Sequence, residues 1–152
     1  MEIVERSYLS QLRQLHSRKI NNRIAPHKAI LLISIFEMIG DGLITKPFIE
    51  PSEILEQRFK TVWVRYVPND DYYKPLIAKP FYHMSGEQFW HLVCKGEYDV
   101  HRKQTPSWFS IQKYYEGANI DTEFFDLLKT REFRVKATLL LIKKYLMQDI
   151  TQ

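Results

Sequence analysis

The stretch Arg23-Ile-Ala-Pro-His-Lys-Ala-Ile-Leu-Leu-Ile-Ser-Ile-Phe-Glu-Met-Ile-Gly-Asp-Gly42 decides the fold. Pro26 suits the opening of a helix, because its missing N–H would have no partner there and its φ is already helical. Gly40 and Gly42 mark the end. Between them Ala29, Ile30, Leu31, Leu32, Ile33, Ile35, Phe36, Met38 and Ile39 leave almost no polar face. A helix that is apolar all round must be buried all round, so residues 26–40 are expected to form the central core helix. The run is shorter than the ~20 apolar residues that a membrane span takes, and no membrane partner is expected. Its first turn brings His27 and Lys28 together just after Arg23. Free N–H groups, the positive end of the helix dipole, an imidazole and cations in one place make an anion site. The same residues fit a solvated helix start equally well.

The sequence before this helix is strongly basic. Arg13, Arg18, Lys19, Arg23 and Lys28, with His16 and His27, occupy residues 10–28 without a single acid, and the next acid is Glu37. The net charge of the 152 residues is only +4, so the placement of the charge matters more than its sum. Such a block is the electrostatic footprint of a phosphate backbone; a solvated helix face followed by a loop also carries one. Met1 leads into Glu2, Glu5 and Arg6 with no apolar segment of the kind that opens a secretory signal. A reduced, cytoplasmic location is therefore expected. The single Cys94 excludes an internal disulfide and a multi-cysteine zinc site, and beside Leu92 and Val93 it reads as a small buried hydrophobe.

Further elements follow on both sides. Ile3, Val4, Tyr8, Leu9, Leu12 and Leu15 recur near a 3.6-residue period and predict an amphipathic first helix over 3–17. Ser17–Asn22 reads as a polar loop. Residues 43–49, broken by Pro47, read as a loop or a short edge strand. Pro51 opens a third helix ending near Pro68. Two aromatic runs, Phe81–Met84 and Phe89–Val93, flank a Gly-containing connection and predict a β-hairpin at about 81–93. A short helix over 110–116 stopped by Gly117, another at 122–129 capped by Asp121, and a last one at 131–147 capped by Thr130 complete the chain. The expected fold class is mainly α: a single helical domain, residues 1–152, around one buried helix, with one small β-hairpin.

No catalytic constellation assembles from these residues. Neither G-x-x-x-x-G-K, G-x-G-x-x-G nor H-E-x-x-H occurs. His83 and His91, on the two hairpin runs, could share a metal, but nothing completes the three or four ligands that a site needs. No cofactor and no metal are expected. Tyr72 and Tyr73, beside Lys74, either line a groove and stack on a base or sugar, or are partly buried.

Three blocks carry a family resemblance. Ala25-Pro26-His27-Lys28 with the Ile/Leu run after it resembles the helix opening of the sulfur-binding domain of type IV modification-dependent restriction endonucleases. Lys79-Pro80-Phe81-Tyr82-His83-Met84 followed by Phe89-Trp90-His91-Leu92 is similar to that family's Tyr-Pro-Phe-Trp-Arg-Leu…Leu-Trp-x-Leu segment. Gly117–Asp121, Leu127-Leu128 and the stretch Arg134–Tyr145 resemble its ending. The resemblance spans about residues 5–146.

It implies a binding module, not an enzyme, that reads phosphorothioate-modified double-stranded DNA. Many members carry a C-terminal HNH nuclease, so any nuclease is expected on another segment or a partner. By position, His27 and Lys28 contact the modified phosphate and Pro80 walls a small apolar pocket for sulfur. Lys79 stands where the family has Tyr, and His83 where a small residue lines that pocket, which makes its wall more polar. Arg18, Lys19, Arg23, Arg102 and Lys103 are the expected electrostatic contacts with the DNA backbone.

Overall fold

The computed structural model describes residues 2–17, 23–67, 73–96 and 107–147, together with residues 19 and 20; at 19, 20 and 23 only the backbone is described. Helix α2 (His27–Gly40) is the core. Every residue from Lys28 to Phe36 is buried, as are Met38 and Ile39. The carbonyl of Pro26 accepts the first helical bond from the Ile30 N–H (2.9 Å). At the far end Gly42, at φ 79°, lets the chain close a Schellman turn, in which Leu43 N–H donates to the Met38 carbonyl (2.9 Å) and Gly42 N–H to that of Ile39 (3.1 Å).

Three helices make the main contacts with this rod. Helix α3 (Glu53–Tyr66) presents Leu55, Phe59, Val62 and Trp63 to it. Its first turn is capped by the Ser52 side chain, which accepts from Leu55 N–H; Pro51, just before, aims the chain. Helix α7 (Arg131–Leu141) packs on another side, and Thr130 caps it as the sequence indicates. It runs on into a π turn, Ile142–Leu146. Helix α4 (Ala78–His83) closes the N-terminal end of α2. Helix α1 (Glu2–Arg13) lies against α7 and α6 (Thr122–Leu128). Asp121 occupies the cap position of α6, yet its carboxylate makes no cap bond there. It accepts instead from Tyr8 OH (2.7 Å) and lies 2.9 Å from His91 Nε2.

The β structure is antiparallel and small. A two-stranded ribbon, β1 (Lys19–Ile20) and β2 (Arg23–Ile24), joins α1 to α2, where the sequence reads as a loop. A three-stranded sheet has the order β3-β5-β4, from Phe48–Ile49, Tyr115–Ile120 and Trp90–Cys94. The mainly α class with a small antiparallel β element therefore stands, and β3 is the edge strand beside Pro47. The pairing differs from a hairpin over 81–93. Phe81–His83 lie in α4 and Met84–Gly86 form a 3₁₀ turn. The buried residues of that segment are Ile77, Ala78, Pro80, Phe81 and Met84. Their spacing of three and four is helical, and this packing overrides the β preference of the aromatics.

The partner of β4 is β5, which follows directly after α5 (Trp108–Tyr114). Gly117 does not stop a helix but sits inside β5. A Cβ there would lie 2.3 Å from the carbonyl oxygen of Ile49 on β3, so only glycine permits the strands to approach this closely. Cys94, on β4, is half-buried and less enclosed than its apolar neighbours in the sequence indicate.

Candidate nucleic-acid interface

The N-terminal turn of α2 and the short helix α4 meet at one end of the molecule and bring the candidate residues together. Pro80 and Phe81 are buried in the contact, while Lys79 and His83 face outward. Proline is tolerated in the first turn of α4, where its absent N–H costs nothing. The charge of Lys79 acts on both imidazoles, His27 and His83, and that of Lys28 acts on His83. His27, Lys28, Lys79 and His83 thus gather at the end of the molecule that carries Pro80.

His27 is held on three sides. Its ring lies 4.8 Å from that of Trp63 on α3 and meets Tyr73 edge-on at 5.7 Å. Its Nε2 is 2.8 Å from the Lys74 carbonyl oxygen. A carbonyl only accepts, so Nε2 carries the proton and Nδ1 is the nitrogen left to gain one. Burial pushes the imidazole below its ordinary pKa; the Lys74 bond opposes this and Lys79 adds to it. His83 is likewise lowered, first by burial and then by Lys28 and Lys79. Both rings therefore hold a proton more weakly than a free imidazole.

Lys28 is differently placed. Its side chain is 10% exposed and its Nζ donates to Glu87 Oε2 at 2.7 Å. Glu87, whose side chain is 5% exposed, also accepts from the backbone N–H of His16 (2.8 Å) and lies 3.3 Å from that residue's ring. The helix-start cation is therefore neutralised within the protein, and Glu87, in the connection before β4, ties the segment after α1 and the start of α2 to that connection. Nothing in the spacing marks Glu87. Trp63 is visible as an inner-face residue of α3, but its contact with His27 is not. Tyr73 is buried at the His27 ring and does not line an open groove.

The expected backbone contacts Arg18, Arg102 and Lys103 lie outside the described residues, as does Tyr72; Lys19 and Arg23 are placed by their backbone alone, on the β1–β2 ribbon. His83, on α4, and His91, on β4, belong to different elements, and His91 pairs with Asp121. Among the described residues no group of three or more His, Cys, Asp or Glu side chains could hold a metal ion, and no helix is long and apolar enough to cross a membrane.

The sequence matches no family model and no curated protein. The fold, by contrast, matches solved structures. The sulfur binding domain and SRA domain of ScoMcrA complexed with phosphorothioated DNA superposes with a TM-score of 0.68 at 15% identity, over 91% of this chain and 42% of that one. This chain thus spans less than half of that two-domain structure. The sulfur binding domain of SprMcrA complexed with phosphorothioated DNA gives 0.64 at 16% identity, over 93% of this chain and 85% of that one. The isolated sulfur binding domain of ScoMcrA, again with phosphorothioated DNA, gives 0.64 at 13% identity over 91% and 86%. The chain has the fold of these sulfur-binding domains.

Proposed function

We propose that this chain is a binding module that reads a phosphorothioate linkage in the backbone of double-stranded DNA and serves a modification-dependent restriction system in the cytoplasm. The observation that carries the reading is the match, over more than nine-tenths of the chain, to domains solved with phosphorothioated DNA, together with the gathering of His27, Lys28, Lys79 and His83 at the end of the molecule that carries the buried Pro80. Any cleavage belongs to a nuclease on another segment or on a partner.

The chemistry is coherent. A non-bridging sulfur is larger, softer and more weakly hydrated than oxygen, so an apolar wall such as the Pro80 ring accepts it at little desolvation cost. An ordinary phosphate oxygen placed there would lose water hydrogen bonds without replacement. The remaining phosphate charge falls to Lys79, His83 and His27, with the first-turn N–H groups of α2 behind them. Lys28 has its charge already met by Glu87. Arg18, Lys19, Arg23, Arg102 and Lys103 add sequence-independent attraction to the backbone.

One feature supports a second reading, a DNA binder indifferent to sulfur: Lys79 and His83 put a cation and an imidazole where an apolar wall favours sulfur. Band shifts on one duplex with and without a single phosphorothioate separate the two. Tighter binding of the modified duplex supports the reader, equal binding the general binder, and no binding at low salt neither.

A further inference from the structure

Helices α1 and α7 run side by side in the same direction. Lys136 on α7 pairs with Glu5 near the start of α1 (2.6 Å). Some two turns further on, the Tyr145 hydroxyl donates to the Leu12 carbonyl (2.5 Å) and accepts from the Leu15 N–H (3.0 Å). The first turns of the pair carry both signs, Arg6, Arg131 and Arg134 among them, while the last turns carry cations and no acid. The acids Glu2, Glu5 and Glu132 lie in the first turns, whereas Arg13, Lys143 and Lys144 lie in the last. A groove of about 500 Å³ runs between the two, floored by Leu9 and Leu140 and rimmed by those three cations and Lys136.

The cations differ in what they are free to do. Lys136 is committed to Glu5. Arg13, Lys143 and Lys144 are exposed, and no acid among the described residues pairs with them. The π turn sets the last two beside Tyr145. This end of the groove is linked to the start of α2 by contacts: the chain leaving Leu15 enters His16, whose N–H donates to Glu87, the partner of Lys28. The Glu87 charge is also felt at the Tyr145 hydroxyl.

Building on the reader function proposed above, we infer that Arg13, Lys143 and Lys144 form a second phosphate clamp that grips the DNA backbone away from the modified linkage and contributes affinity without contributing to sulfur preference. Three unpaired cations linked by these contacts to a phosphate-reading site match the charge of a continuing duplex, which carries a negative charge every ~1.7 Å along its axis. The two helix C-termini favour cations of their own accord, but that preference needs no continuity with the site.

The test compares the full chain with the triple variant Arg13→Ala/Lys143→Ala/Lys144→Ala, by fluorescence anisotropy on modified and unmodified duplexes over a salt series. These exposed substitutions leave the fold intact, which circular dichroism checks. Each lost phosphate contact flattens the plot of log affinity against log salt by about 0.9, so the slope should fall by about 2 to 3. The ratio of affinities for the two duplexes should be unchanged. An unaltered slope with normal DNA binding by the parent overturns the clamp alone, and so does a change in the ratio. Failure of the parent to bind either duplex overturns the reader function, and the clamp with it.

Discussion

Lys28 Nζ and Glu87 Oε2 lie 2.7 Å apart, with at least nine-tenths of both side chains shielded from solvent. The cation at the head of the core helix is thus both an apparent anion ligand by position and a structural group by contact. Breaking a buried pair leaves one charge stranded, at a cost of about 3–5 kcal/mol, whereas an apolar pair of similar volume is often tolerated. Lys28→Met and Glu87→Leu should each destabilise strongly, and the double variant should recover most of the loss. Urea denaturation of the three variants checks this; additive losses would show that the pair is not coupled.

The imidazoles of His27 and His83 both bind protons more weakly than an unfolded histidine. Between the unfolded value near 6.5 and their lower folded values, the unfolded chain therefore holds more protons, and the free protein loses stability as pH falls through that window. A bound phosphate reverses the preference, because it favours the charged ring. DNA affinity should rise as pH falls from about 8 to about 6, and His83→Gln should flatten the rise. Titrations at several pH values measure it.

His83 is exposed, and its substitution should leave the fold intact. Replacing it with alanine removes a polar group from the pocket wall and lowers the cost of placing sulfur there. His83→Ala should increase the ratio of affinities for modified and unmodified duplexes while weakening both. Parallel isotherms on the two duplexes give that ratio.

Much of this was legible in the sequence, and the parts that were not have physical causes. The unbroken apolar run of α2 and the cap at Thr130 are local signals, and local signals survive folding; Pro51 signalled a helix start, but the cap itself is Ser52, one residue on. Phe81–Met84 reads as a strand by residue type, but the spacing of Ile77, Ala78, Phe81 and Met84 records a helix once their burial is known. Strand β5 was hidden because Gly117 carries a stop signal for helices, and the contact that demands glycine comes from Ile49, 68 residues earlier in the chain. The same holds at the site. His27 and Lys28 are visible as a helix start, but Glu87, Trp63 and Lys74, which fix what they can do, come from three other segments.

The proposed reader function turns on one atom of one linkage. Two duplexes of identical sequence, differing by a single sulfur for oxygen in the backbone, should bind the purified chain with different affinities. If the chain reads sulfur, the modified duplex binds tighter by about tenfold or more, a difference of about 1.4 kcal/mol, and Pro80→Ala narrows the gap. Equal dissociation constants for the two duplexes, at a salt concentration where both bind, would contradict it.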